Sequence, residues 1–190
     1  MNLPNKLSIL RICMIPVFTA IFYLTVIPYN YVISAVIFVL AAATDFLDGY
    51  IARKYNMVTN LGKFLDPIAD KVLVSTALIV LITLPNVLSP LWAIAVAVIL
   101  ARELIVSGFR TVAASRNLVL AADKVGKVKT FFQDTAIAVL LVAAQGFCAN
   151  MSFCPITLVG QILLGIAVVL TIVSGINYIV KNRQVLKEEK

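Results

Sequence analysis

The chain has 190 residues, of which 62% are hydrophobic and only 13% charged, with a formal net charge of +7. A soluble domain of this length cannot hide so much apolar surface, since about 45–50% is usual for globular chains, and an integral membrane protein is the economical reading. The positive charge does not imply a nucleic-acid partner, because basic cytoplasmic edges of a membrane protein give the same excess, and the lack of any histidine removes Ser–His–Asp catalysis, phosphohistidine intermediates and histidine-ligated metals.

Taken in chain order, the opening MNLPNKLSILRI reads as a short amphipathic helix lying on the cytoplasmic surface. The apolar run that follows is long enough to span and lacks a small-residue cleavage site, so no cleavable signal peptide is expected. Runs of about 20 residues, the length needed to cross a bilayer, fall at 8–28, 31–53, 63–84, 90–114, 127–147 and 155–180. Turn chemistry separates them: Pro28 with Asn30, the polar 54–62 segment, Pro85-Asn86 through Pro90, and Gly146 through Pro155. The stretch RNLVLAADKVGKVK, between the fourth and fifth runs, is too polar to cross and reads as an interfacial helix or loop. The expected fold is all-α: one integral membrane domain over residues 1–190, with six transmembrane helices behind the amphipathic lead-in. Six spans put both termini on one side. Lys6, Arg11, Arg53, Lys54, Lys63, Arg110, Arg116, Lys124, Lys127, Lys129 and the lysine-bearing tail 181–190 all fall there, whereas 28–31, 85–90 and 146–155 carry no charge. By the positive-inside rule that side is cytoplasmic. The three cysteines, Cys13, Cys148 and Cys154, show no metal spacing, and a Cys148–Cys154 disulfide across one loop is not favoured.

Against this background the stretch TDFLDGYIARKYNMVTNLGKFLDPIADK is anomalous, because it sets four aspartates in and beside apolar runs. Asp45, Asp48, Gly49 and Ala52 stand at i, i+3, i+4 and i+7, on one helical face at the cytoplasmic end of the second span. Gly62, Asp66 and Asp70 stand at i, i+4 and i+8 at the start of the third. Two antiparallel neighbours would bring these faces together at one depth. Four converging carboxylates repel one another unless they are protonated or a cation sits among them. An all-oxygen donor set favours a hard ion such as Mg²⁺ or Mn²⁺, and four carboxylates suffice for two ions, the arrangement used in phosphoryl transfer. Gly49 and Ala52 leave room for a nucleotide against the backbone, Arg53 offers a planar donor to phosphate, and Gly62 permits close approach. Two other readings remain open here. Asp–Arg pairs, such as Asp48 with Arg53 or Arg102, would be purely structural. A cation or proton pathway would also use carboxylates, though transporters usually hold their sites near the midplane.

The pattern Asp45-x-x-Asp48-Gly49-x-x-Ala52-Arg53, eight residues, then Gly62-x-x-x-Asp66-x-x-x-Asp70 resembles the full signature of the CDP-alcohol phosphatidyltransferase family. The resemblance implies a multi-pass enzyme of the cell membrane, active site facing the cytoplasm, that joins a CDP-linked lipid to an alcohol and releases CMP. It further implies that Asp45, Asp48 and Asp66 bind divalent metal, that Asp70 lies at the metal site and is the general base, and that the protein is a homodimer. Outside the signature, NLPNKLSILRI, ARELIVSGFR and GKVKTFFQD are similar to the bacterial branch whose substrates are CDP-diacylglycerol and sn-glycerol 3-phosphate. On that resemblance Asn5, Ser8 and Arg11 join Gly49, Ala52, Arg53 and Gly62 in binding the CDP-lipid. Glycerol 3-phosphate is a dianion, so its pocket needs further cations, and Arg110, Arg116, Lys127 and Lys129 lie on the cytoplasmic edge to provide them. Other acceptors of the family (inositol phosphate, serine, phosphatidylglycerol) and the cation carrier are the alternatives.

Overall fold

The computed structural model describes residues 3–54, 60–115, 124–147 and 154–182, with the side chains of 3–5, 45–54, 60–67, 114–115 and 124 outside that description. Its helices are α1 (Leu3–Tyr23), α2 (Asn30–Lys54), α3 (Asn60–Ile82), α4 (Trp92–Ser115), α5 (Lys124–Ala144) and α6 (Pro155–Lys181). Three of them, α1, α4 and α6, are long and apolar enough to cross a membrane when the described residues alone are considered. Large apolar side chains such as Ile94, Leu104, Phe131 and Val169 point outward, as lipid-facing residues do. The fold is an all-helical membrane bundle.

The lead-in expected as a separate surface helix is continuous with the first span: α1 runs unbroken from Leu3 through Pro16. The physical reason lies in its packing. α1 lies against both α2 and α3, and its polar residues Ser8 and Arg11, one turn apart, are fully buried. The polar stripe therefore faces the bundle interior and not the lipid headgroups. α5 likewise begins at Lys124, which makes the end of the predicted interfacial segment part of the helix. Residues 116–123, which include Arg116, lie outside the described residues, as does Cys148.

The uncharged connections are tied to the helices by side-chain hydrogen bonds to backbone carbonyls, which have no water to bond in a membrane. Asn30 Nδ2 donates to Phe22 O at 2.8 Å, and Ser34 Oγ donates to Asn30 O at 2.8 Å. Gln161 Nε2 donates to Val87 O at 2.8 Å, pinning the start of α6 to the α3–α4 connection. Tyr29 takes φ 58° in the tight turn before α2, the left-handed region that non-glycine residues seldom enter.

The core sits among α1, α2, α3 and α5, around Phe18, Phe38, Leu73, Leu78, Leu81, Ile137 and Leu140. α6 buries Gly160, Leu164, Ala167, Thr171, Ser174 and Tyr178. These positions alternate four and three apart, a seam of mostly small residues that lets backbones approach. A Cβ at Gly160 would stand 2.6 Å from Leu140 Cδ2. Trp92 lies beside Gly165, Arg102 beside Ser174 and Arg110 beside Tyr178, so α4 and α6 run parallel. That is the direction alternating spans require of the fourth and sixth.

Candidate active site

Asp70 sits half-buried on α3, one turn beyond Asp66, in the wall of a partly open cleft. The cleft is formed by three helices. α3 contributes Asp70, Lys71, Val74 and Ser75; α4 contributes Ile99, Leu100 and Glu103; α5 contributes Lys129, Thr130 and Gln133. Among the described residues its lining is apolar at Val74, Ile99 and Leu100 and carries two carboxylates and two ammonium groups. Asp45 and Asp48 lie in the last turns of α2, which packs against α3. The side chains of Asp45, Asp48, Gly49, Ala52, Arg53, Gly62 and Asp66, and of Asn5 on α1, lie outside the described residues. Among the described residues no group of three or more His, Cys, Asp or Glu side chains is gathered to hold a metal.

Glu103 organises the α4–α5 wall. Its Oε1 accepts from Lys129 Nζ at 2.5 Å and from Arg102 Nη1 at 3.1 Å. The Lys129 side chain is 2% exposed and that of Glu103 24% exposed, so the lysine is the fully desolvated member. Arg102 turns its other end to α6, where Nη2 donates to Ser174 Oγ at 2.9 Å. Gly175 leaves room for it: a Cβ there would stand 3.0 Å from Arg102 Cγ. An Arg–Glu pair is thus present on α4, and Arg102 is committed to Glu103 and Ser174.

Lys127 and Lys129 do not share a role in this geometry. Two residues on a helix are about 200° apart, so Lys129 enters the cleft while Lys127 is exposed on the other side. Arg110 lies seven residues beyond Glu103, on the same face of α4 and about 10 Å further along it. Its guanidinium is exposed and stacks 5.7 Å from the ring centroid of the buried Tyr178, a cation–π contact that holds the charge near the helix end. The structure therefore brings Asp70 and Lys129 together in one cleft, with Arg110 outside it along α4. Lys71, Ser75, Thr130 and Gln133 were missed by reading spacing alone. The one available signal was Gln133, which stands four residues after Lys129 and so shares its face.

The model of the family described as CDP-alcohol phosphatidyltransferase matches residues 1–173. The chain is similar to a protein of Bacillus subtilis named CDP-diacylglycerol–glycerol-3-phosphate 3-phosphatidyltransferase, at 41% identity over 98% of this chain and 97% of that one. A protein of the same name from Rickettsia bellii is 45% identical over 93% of each chain. Another, from Salmonella typhimurium, is 39% identical over 74% of this chain and 76% of its own.

Proposed function

The chain belongs to the CDP-alcohol phosphatidyltransferase family, and we propose that it transfers the phosphatidyl group of CDP-diacylglycerol to sn-glycerol 3-phosphate, giving phosphatidylglycerol phosphate and CMP. The observation that carries this reading is identity of 41–45% to relatives named for that reaction, over nearly the whole of both chains. Phospholipid biosynthesis in a membrane is its setting.

The residues that would hold metal are Asp45, Asp48, Asp66 and Asp70. Their chemistry fits Mg²⁺ or Mn²⁺: four carboxylates without nitrogen or sulfur donors, on helices α2 and α3 that pack together. Two such ions, when bound, supply positive charge against the pyrophosphate and the departing CMP. Asn5, Ser8, Arg11 and Arg53 contact the CDP-lipid, with Gly49, Ala52 and Gly62 keeping the approach to the backbone clear. Arg110, Arg116 and Lys127 receive the acceptor phosphate, while Lys129, paired with Glu103, holds the cleft wall facing Asp70. Asp70 takes the proton from the glycerol 1-hydroxyl, whose oxygen attacks the β-phosphorus as the bond to CMP breaks. The step is a single direct displacement. Six spans with cytoplasmic termini and a cytoplasmic-facing site in the cell membrane follow from the charge asymmetry, and a homodimer completes the reading.

The test is CMP release from CDP-diacylglycerol by purified protein in detergent–lipid micelles, across a panel of acceptors. Glycerol 3-phosphate should support turnover and serine, inositol phosphate and phosphatidylglycerol should not. Turnover with another acceptor alone changes the substrate, and no CMP release with any acceptor, alongside cation flux in vesicles, overturns the enzyme reading.

A further inference from the structure

Gln133 is 2% exposed, and its Oε1 has no hydrogen-bond partner. Of the buried side-chain atoms left without a partner among the described residues, this alone belongs to a residue lining the cleft that holds Asp70. A buried acceptor left unfilled is costly and calls for an explanation. We infer that Gln133 reads the C2 hydroxyl of the glycerol 3-phosphate acceptor and so determines acceptor specificity, an inference that rests on the acceptor assignment above.

The charge distribution points the same way. Among the described residues, the cleft walls carry Lys71 and Lys129 against Asp70 and Glu103, whose formal charges cancel. Lys129 is moreover already committed to Glu103. A phosphate dianion gains little deep inside such a cleft and is better placed towards the exposed guanidinium of Arg110. The neutral diol end then enters. Asp70 faces the 1-hydroxyl that it deprotonates, and the adjacent C2 hydroxyl falls to the polar groups of α5. Thr130 is already engaged, its Oγ1 donating to Gly126 O at 3.0 Å. Gln133, one turn further into the bundle than Lys129, remains. A hydroxyl suits it because it can both donate to an amide oxygen and accept from an amide nitrogen.

The experiment compares sn-glycerol 3-phosphate with 3-hydroxypropyl phosphate, which keeps the reacting hydroxyl and the phosphate but lacks the C2 hydroxyl. CMP release by the wild-type protein should show kcat/KM lower by about ten- to a hundredfold for the analogue. Gln133→Leu should lower kcat/KM for glycerol 3-phosphate by the same factor and leave the analogue unchanged, bringing the ratio near one. Equal use of the two acceptors by the wild type, or an undiminished ratio in the variant, overturns the role of Gln133. The wild-type comparison stands alone if the leucine variant does not fold, and Gln133→Met repeats the variant test with a more conservative shape. Absence of CMP release with glycerol 3-phosphate overturns the acceptor assignment, and this inference with it. Release without discrimination overturns the inference alone.

Discussion

Glu103→Gln should destabilise the protein more than removal of either cation that it holds. The carboxylate accepts from Lys129 at 2.5 Å and Arg102 at 3.1 Å. The amide keeps the shape and removes the charge, leaving the 2% exposed Lys129 side chain without a counter-charge. Breaking a buried ion pair from one side costs about 3–5 kcal/mol. Glu103 is 24% exposed and water reaches the pair through the cleft, which lowers the expectation to roughly 2–3 kcal/mol. For a chain of this size each kcal/mol moves Tm by about 2–4 °C, so a drop of about 4–12 °C is expected. Lys129→Met should cost far less, because Glu103 keeps Arg102 as its partner. The double variant Glu103→Gln/Lys129→Met should recover most of the loss, since it strands no ammonium. Thermal unfolding of the detergent-solubilised proteins, read as a double-mutant cycle, provides the check. A Glu103→Gln variant within about 1 °C of wild type, or a double variant less stable than both single ones, refutes the reasoning.

Asp45→Asn, Asp48→Asn and Asp66→Asn should each abolish turnover and weaken Mn²⁺ binding while the protein still inserts; near-normal metal-dependent turnover in any of the three would remove that residue from the cluster. Asp70→Asn should lose about 10²–10⁴ in rate while retaining CDP-diacylglycerol binding, and restoration by excess Mg²⁺ would make Asp70 a ligand and not the base. Arg110→Ala should raise KM for glycerol 3-phosphate by about ten- to a hundredfold with little change for CDP-diacylglycerol, and equal effects would make the arginine structural. Gly160→Ala should cost about 1–3 kcal/mol, because the new methyl meets the fully buried Leu140 at 2.6 Å. Leu140→Ala in the same chain should relieve the added strain, as thermal unfolding would read.

The helices were legible because the hydrophobic runs are long and the connections are rich in Pro, Asn and Gly. The second run, read as 31–53, is the helix Asn30–Lys54, and the sixth, read as 155–180, is Pro155–Lys181. The first helix was misread because an amphipathic stripe is ambiguous in a membrane protein. Ser8 and Arg11 on one face suit a headgroup boundary and a polar bundle interior equally well, and only the packing of α1 on α2 and α3 decides between them. The family was legible in the aspartate signature for the opposite reason: carboxylates beside apolar runs are too costly to be incidental.

The acceptor side was harder to read, because its meaning depends on how three helices register. Lys129 and Glu103 are separated by 26 positions, and no local spacing announces that they form one pair. A lysine at a cytoplasmic edge also reads as a topological anchor whether or not it serves a site. The pairing changes what Lys129 can contribute. Held by a carboxylate on one side and buried on the others, it adds less attraction for a phosphate than an unpaired ammonium would. It does fix the α4–α5 wall facing Asp70. Among the described residues, net positive charge then resides towards Arg110, at the far end of the same face of α4, while the cleft near the proposed base stays balanced. On the proposed function, an acceptor that is anionic at one end and neutral at the other would be oriented by that gradient, its phosphate outward and its hydroxyl towards Asp70, before any contact specific to glycerol is made.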